Sequence, residues 1–335
     1  MQPILSMIYN HFKTKCLKKG KYTKNKIIEL DHIVINLNSL TTGKVWKILM
    51  QTTNEVFFEV MGNIGLITLN RQHVLNALSH SMLCQLEQQL VLWETMPAVQ
   101  AVVVRAAPGR AFSAGGDIRS VYENRLQQNV DFRQYFLDEY RLNKHIFHYT
   151  KPYIALLNGI TMGGGAGISI HGSYRVATEN IVFAMPETGI GFFPDVGASY
   201  FLTRLPYHFG FYLGLTGARL AYNDCYALGL VNTVIAPNAQ EQLINMLAQT
   251  ALENTHTIDQ IIKQFSIPVP PSTLWMHQNE IDVCFSKNTI EEIINALEIN
   301  ANDWCKKVAE VLKTKSPLSL KVTLDELKKR RKTGV

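Results

Sequence analysis

Two carboxylic acids, Glu187 and Asp195, stand in the short stretch "MPETGIGFFPDVG" (185–197), among Met185, Ile190, Phe192 and Phe193 and each next to a proline. Apolar surroundings disfavour the ionised form of a carboxyl group, and a second acid nearby opposes ionising both. At least one of the pair can thus be held near the pH at which it exchanges protons, as general acid–base chemistry requires. The same spacing also allows a structural role, with Glu187 capping a turn and Asp195 bonding to loop backbone.

Complementary groups come from two glycine-rich turns, "FSAGGDI" (112–118) and "MGGGAGI" (162–168). Each follows an apolar, strand-like run and opens a helix, where backbone N–H groups have no partner within the helix. Two such donors converging on one carbonyl oxygen stabilise charge that develops on a thioester or enolate. Neither turn fits a nucleotide-binding pattern: there is no GxGxxG, and "MGGGAGI" lacks the GK[ST] of a phosphate loop. That the glycines only permit close strand-to-helix packing stays open.

The elements that must position these groups are legible from periodicity. "VFFEV" and "IGLITL", joined around Met61, Gly62 and Asn63, read as a hairpin. Ser79 can cap a helix whose Leu83, Leu86, Leu90 and Trp93 fall on one buried stripe. "AVVVR" (101–105), "YIALL" (153–157) and "YRVAT" (174–178) read as strands, with a helix from Asp131 to Tyr149 between the first two. Alternating strands and helices imply α/β architecture. Beyond residue 240 the pattern turns helical, at 239–253, 289–299 and 301–313, with a break at "SIPVPPS". The expected division is an N-terminal extension over 1–50, either a loose arm or a small β-element, an α/β core over 51–240, and a helical region over 241–335.

Composition excludes several classes. The chain has 335 residues, 47% hydrophobic and 18% charged, enough to bury a large core. Its net charge of +6 owes much to seven lysines between Lys13 and Lys26, and no arginine precedes Arg71. With little aromatic interleaving, that arm does not read as a nucleic-acid binder. No apolar run reaches the ~20 residues of a membrane helix, and no secretory leader is evident. Five scattered cysteines without CxxC suggest neither disulfides nor zinc, so a reducing, cytoplasmic setting is expected. His73, His145, His148 and His171 are likewise scattered, and no metal is expected.

In order and spacing, "LNAL" (75–78), "AFSAGGDIR" (111–119), "KPYIALLNGITMGGGAGISIHGSYRVATE" (151–179) and "FAMPETGIGFFPDVGASYFLTRLP" (183–206) resemble the enoyl-CoA hydratase/isomerase (crotonase) superfamily. The wording of "GITMGGG" and "PETGIGFFPDVG" is closest to that superfamily's 3-hydroxyisobutyryl-CoA hydrolases, and the likeness runs over residues 52–328. The resemblance implies a spiral of ββα repeats with a C-terminal helical region and coenzyme A lying across the first half. It implies cleavage of 3-hydroxyisobutyryl-CoA or a similar 3-hydroxyacyl-CoA thioester, a step of valine degradation. Gly116 and Gly164 would then supply the oxyanion hole. Glu187 would attack the carbonyl or activate water, and Asp195 would orient the acyl hydroxyl or the attacking water. Glu139 matches a position that lines the acyl pocket, a solvated helix face being the alternative. Coenzyme A arrives with the substrate, so no separate cofactor is implied, and assembly into a homo-oligomer is left open.

Two departures give rival readings. Gly167 stands where the hydratases usually carry a second catalytic glutamate, which disfavours hydration and leaves isomerisation or hydration by Glu187 alone as an alternative. The chain ends at "LKKRRKTGV", where the hydrolases continue through a further helical segment. A truncated helical region with exposed apolar surface, and hence a non-catalytic relic, is the second alternative.

Overall fold

The computed structural model describes the backbone of 27–30, 33–36 and 48–50, and residues 55–126, 132–252 and 254–333. The lysine-rich start of the expected arm lies outside the described residues. Three short strands from the rest of it, β1 (Ile27–Leu30), β2 (Ile33–Asn36) and β3 (Ile48–Met50), pair antiparallel in succession. Leu49 and Met50 of β3 then pair with Glu59 and Phe58 of β4 (Val56–Met61).

The expected hairpin is present: β4 pairs antiparallel with β5 (Ile64–Leu69) through a turn in which Gly62 has φ +57°. From β5 onward the sheet is parallel, continuing through β6 (Ala101–Ala106), β8 (Tyr153–Leu157), β10 (Tyr174–Thr178) and β12 (Thr233–Ile235). A second sheet holds β7 (Ala111–Ser113), β9 (Ile160–Met162) and β11 (Val182–Ala184) in parallel register. Each winding of the chain thus lays one strand in each sheet before a helix returns it, which is the ββα spiral implied by the resemblance.

Strand residues of the large sheet face two cores. Val102, Val104, Ala155 and Leu157 face one, whereas Ala101, Val103, Ile154 and Leu156 face the other. Burial on both faces explains why these strands read as continuous apolar runs. The first core is closed by α1 (His80–Glu94), whose Ser79 cap accepts from the Met82 N–H at 3.1 Å. Its Leu83, Leu86, Leu90 and Trp93 are all buried, as the spacing predicts, and truncating one such leucine to alanine costs about 2–5 kcal/mol. The second core is closed by helices at Gln240–Gln249 and Thr255–Gln264.

The C-terminal helices, including Gln278–Phe285, Ile290–Glu298, Asp303–Lys313 and Pro317–Thr333, pack into the first core through Ile281, Ile293, Leu312, Leu320 and Leu327. The 51–240 and 241–335 regions therefore share both cores. Among the described residues no helix is long and apolar enough to cross a membrane.

Candidate active site

The two glycine turns meet side by side. A parallel bridge fixes the first: Leu78 N–H donates to the Gly115 carbonyl at 2.8 Å, and Asp117 N–H donates to the Leu78 carbonyl at 3.0 Å, holding Gly116 between them. The second begins after β9, where Gly163 has φ +49° and ψ −122°, a conformation open to glycine and costly for a residue with a Cβ. A Cβ on Gly164 would lie 3.1 Å from the Gly116 nitrogen. Neither the Gly116 nor the Gly164 N–H donates to an acceptor among the described residues, so both are available to one oxygen placed between them.

Three acids surround this point. Glu187 begins a 3₁₀ turn (Glu187–Ile190). Its neighbour Thr188 is held from both sides, its hydroxyl donating to the Leu215 carbonyl at 3.0 Å and its carbonyl accepting from Ser316 N–H at 3.1 Å. Glu187 Oε1 comes within 2.9 Å of where a Cβ on Gly163 would stand. Glu139, on the helix α3 (Phe132–Phe147) that follows α2 (Ile118–Leu126), points Oε1 to within 2.5 Å of the equivalent position on Gly164. Alanine at 164 would thus collide with the carboxylate and crowd the neighbouring amide. Glu139 is 2% exposed and Glu187 6%, which decides against a solvated helix face for Glu139. Among the described residues, Glu139 Oε1 and Glu187 Oε2 have no hydrogen-bond partner.

Asp195 completes the set from a tight turn. Val196 sits at φ +44°, a strained value for a β-branched residue, and Gly197 at +82°. His171 Nε2–H donates to the Val196 carbonyl at 2.7 Å and holds the turn in place. Tyr140 of α3 donates its hydroxyl to Asp195 Oδ2 at 2.7 Å. Stacking of Phe136 on Phe192, with centroids 5.7 Å apart, ties α3 to the Glu187 loop. Gly116, Gly164, Glu139, Glu187 and Asp195 all line one cleft of about 520 Å³. The sequence-based candidates thus share one cavity.

Electrostatics follow from burial. Burial, reinforced by Asp195 and Glu187, pushes Glu139 up to about 8. Burial also pushes Glu187 up to about 8, its own backbone N–H opposing and Asp195 adding to the rise. Asp195 rises to about 6 for the same first cause, with the Tyr140 hydroxyl holding it down. Near neutrality the cleft therefore holds one largely ionised acid and two that are mostly protonated, titrating as a coupled set.

The model of the family described as enoyl-CoA hydratase/isomerase matches residues 64–335. The chain belongs to that family. Among curated members, human "3-hydroxyisobutyryl-CoA hydrolase, mitochondrial" is 41% identical over 283 residues, covering 82% of this chain and 72% of the human one. The Arabidopsis thaliana "probable 3-hydroxyisobutyryl-CoA hydrolase 3" is 41% identical over 85% of this chain and 77% of its own. Among similar solved structures, a carnitinyl-CoA dehydratase from Mycobacterium thermoresistibile has a TM-score of 0.78 at 34% identity, covering 84% of this chain and 81% of that one. An enoyl-CoA hydratase from Rhodobacter sphaeroides has 0.75 at 33%, covering 82% and 79%.

Two features escaped the sequence reading. Tyr140 carries no local signal, since its partner lies 55 positions away. A triplet of His80, Cys84 and Asp138 also lies together outside the cleft, although no metal was expected. Its only trace in the sequence is a His and a Cys four positions apart on one helix.

Proposed function

We propose that this family member hydrolyses the thioester of 3-hydroxyisobutyryl-CoA or a closely similar 3-hydroxyacyl-CoA. The observation that carries the reading is the placement of two unbonded amides, Gly116 and Gly164, within reach of the buried carboxyl of Glu187. A thioester oxygen accepting from both N–H groups gains stabilisation as charge builds on it, and the low-dielectric cleft strengthens that effect.

Ionised Glu187 then attacks the carbonyl carbon to give an anhydride, or removes a proton from the water that attacks it. In the anhydride route the acyl–Glu187 C–O bond forms as the C–S bond breaks, and water then cleaves the anhydride, one of its protons going to the departed coenzyme A thiolate. In the general-base route the water oxygen forms the C–O bond and Glu187 passes the water's proton to the thiolate as the C–S bond breaks. Asp195, aligned by Tyr140, holds the water or the 3-hydroxyl group. Protonated Glu139 donates a hydrogen bond to the acyl chain's oxygen. The second glutamate of a two-glutamate hydratase has no room here: a Cβ on Gly167 would meet Val196 Cβ at 2.8 Å and Asn143 Nδ2 at 2.9 Å.

The names of these similar solved structures favour hydration as a second reading. Purified protein offered 3-hydroxyisobutyryl-CoA and crotonyl-CoA in parallel separates the two: release of free thiol from the first alone supports hydrolysis, and hydration of the second without thiol release removes it. Single turnover in ¹⁸O-labelled water, followed by mass spectrometry of the protein, divides the anhydride route from the general-base route.

The described cysteines are all free thiols. A reducing compartment suits them, whether the cytosol or the mitochondrion named for the human relative.

A further inference from the structure

His80 and Cys84 are one helical turn apart on α1 and project from the same face, the i,i+4 relation that lets two side chains share one ligand. Asp138 reaches them from α3. The ligand atoms of all three lie within 4.8 Å of one another, and each residue is partly exposed. The carboxylate is already oriented: its Oδ1 accepts from Gln134 Nε2 at 2.7 Å and Arg141 Nη1 at 3.2 Å, while Oδ2 meets His80 Nε2 at 2.8 Å.

From this arrangement we infer a binding site for a thiophilic divalent cation of the zinc type, held by His80, Cys84 and Asp138 between α1 and α3. Zinc bonds of about 2.0–2.3 Å in a tetrahedron place ligand atoms roughly 3.3–3.7 Å apart. The triplet reaches that spacing by small side-chain rotations, the His80–Asp138 hydrogen bond opening to admit the ion.

A nitrogen, a sulfur and one carboxylate oxygen suit zinc or cobalt better than magnesium or calcium, which prefer all-oxygen shells. Three protein ligands leave a fourth position for water. The Cys84 thiol binds as thiolate, its proton passing to solvent as the sulfur–metal bond forms. Gln134 and Arg141 act as outer supports that fix the carboxylate. The site is separate from the cleft but shares α3 with it, since Asp138 is followed by Glu139 and Tyr140. A bound ion would therefore staple α1 to the helix that carries two groups of the cleft.

Cobalt(II) serves as the test probe because a thiolate ligand gives it a sulfur-to-cobalt charge-transfer band. Titration of the full chain should saturate at one cobalt per chain, with the band present and with zinc displacing it. C84S should abolish the band while every other thiol remains, and H80Q should weaken binding by about tenfold or more, as should D138N. Zinc should raise the unfolding temperature of the parent by about 5 °C at concentrations far above its dissociation constant, and leave that of C84S unmoved. Absence of the band in the parent, or a band of equal strength in C84S, overturns the site. So does a zinc response in folded C84S and H80Q equal to that of the parent.

Discussion

Replacing Glu187 with glutamine should make the protein more stable and far less active at the same time. In the native state burial holds the proton on Glu187 up to about 8, whereas a solvated glutamate releases it near 4.5. Between those values the folded form binds the extra proton, so the stability it contributes is complete below 4.5 and is lost as pH rises through 8. Glutamine cannot ionise and removes that loss. At pH 7 the window already crossed, counted from 4.5, is worth about 3 kcal/mol at roughly 1.36 kcal/mol per unit. For a chain of this size that amounts to a rise of about 5 °C in unfolding temperature. Because the charge of Glu187 is one of the causes that raise Glu139, the variant should also ease Glu139 into ionising, which lessens the same loss at that site and adds to the gain. Thermal unfolding of parent and variant at pH 5, 7 and 8.5 gives the assay: the curves should lie closest together at pH 5 and separate progressively above it. Thioester cleavage should fall by about 10²-fold or more. A variant that matches the parent's temperature at pH 8.5, or keeps its rate, refutes the reasoning from burial to reactivity.

Other perturbations probe the remaining parts. Gly164→Ala places a methyl group 2.5 Å from Glu139 Oε1 and 3.1 Å from the Gly116 nitrogen, and kcat should drop about 10²–10³-fold with circular dichroism unchanged. In Tyr140→Phe, Asp195 loses the hydroxyl that holds its value down, so the acidic limb of kcat/KM should move to higher pH; an unmoved limb removes Asp195 from the essential ionisations. Gly167→Glu should not create a hydratase, since the new side chain collides with Val196 and Asn143. A lower unfolding temperature and no crotonyl-CoA hydration are expected, measured by calorimetry and loss of the conjugated absorbance.

Much of the scaffold was open to sequence reading because its signals are local. The stripe Leu83, Leu86, Leu90 and Trp93 identified α1, and the apolar runs identified β6, β8 and β10, all confirmed by their burial. Glu139 illustrates a signal that was present but underused. Tyr135, Glu139, Leu142 and Ile146 recur at helical spacing and share the buried face of α3, so the acid's side was written in its apolar neighbours. The helices at Thr255–Gln264 and Gln278–Phe285 were not anticipated individually. Their stripes are short, and it is docking against the sheet and the other helices that stabilises them.

Residue order by itself determined the strands β4, β5, β6, β8 and β10, the helices α1 and α3, the two tight glycine turns and the acids that flank the loops, because backbone freedom and hydrophobic period are properties of a few adjacent positions. It could not determine that Gly116 and Gly164 stand side by side, that Tyr140 holds Asp195, or that Gly167 is walled in by Val196 and Asn143. Those facts join positions 24 to 55 residues apart, and only the winding of the spiral brings them within bonding distance. The reactivity of Glu187 and Glu139 has the same origin: an acid's proton affinity follows from the water it has lost, and that loss is decided when distant elements close over it.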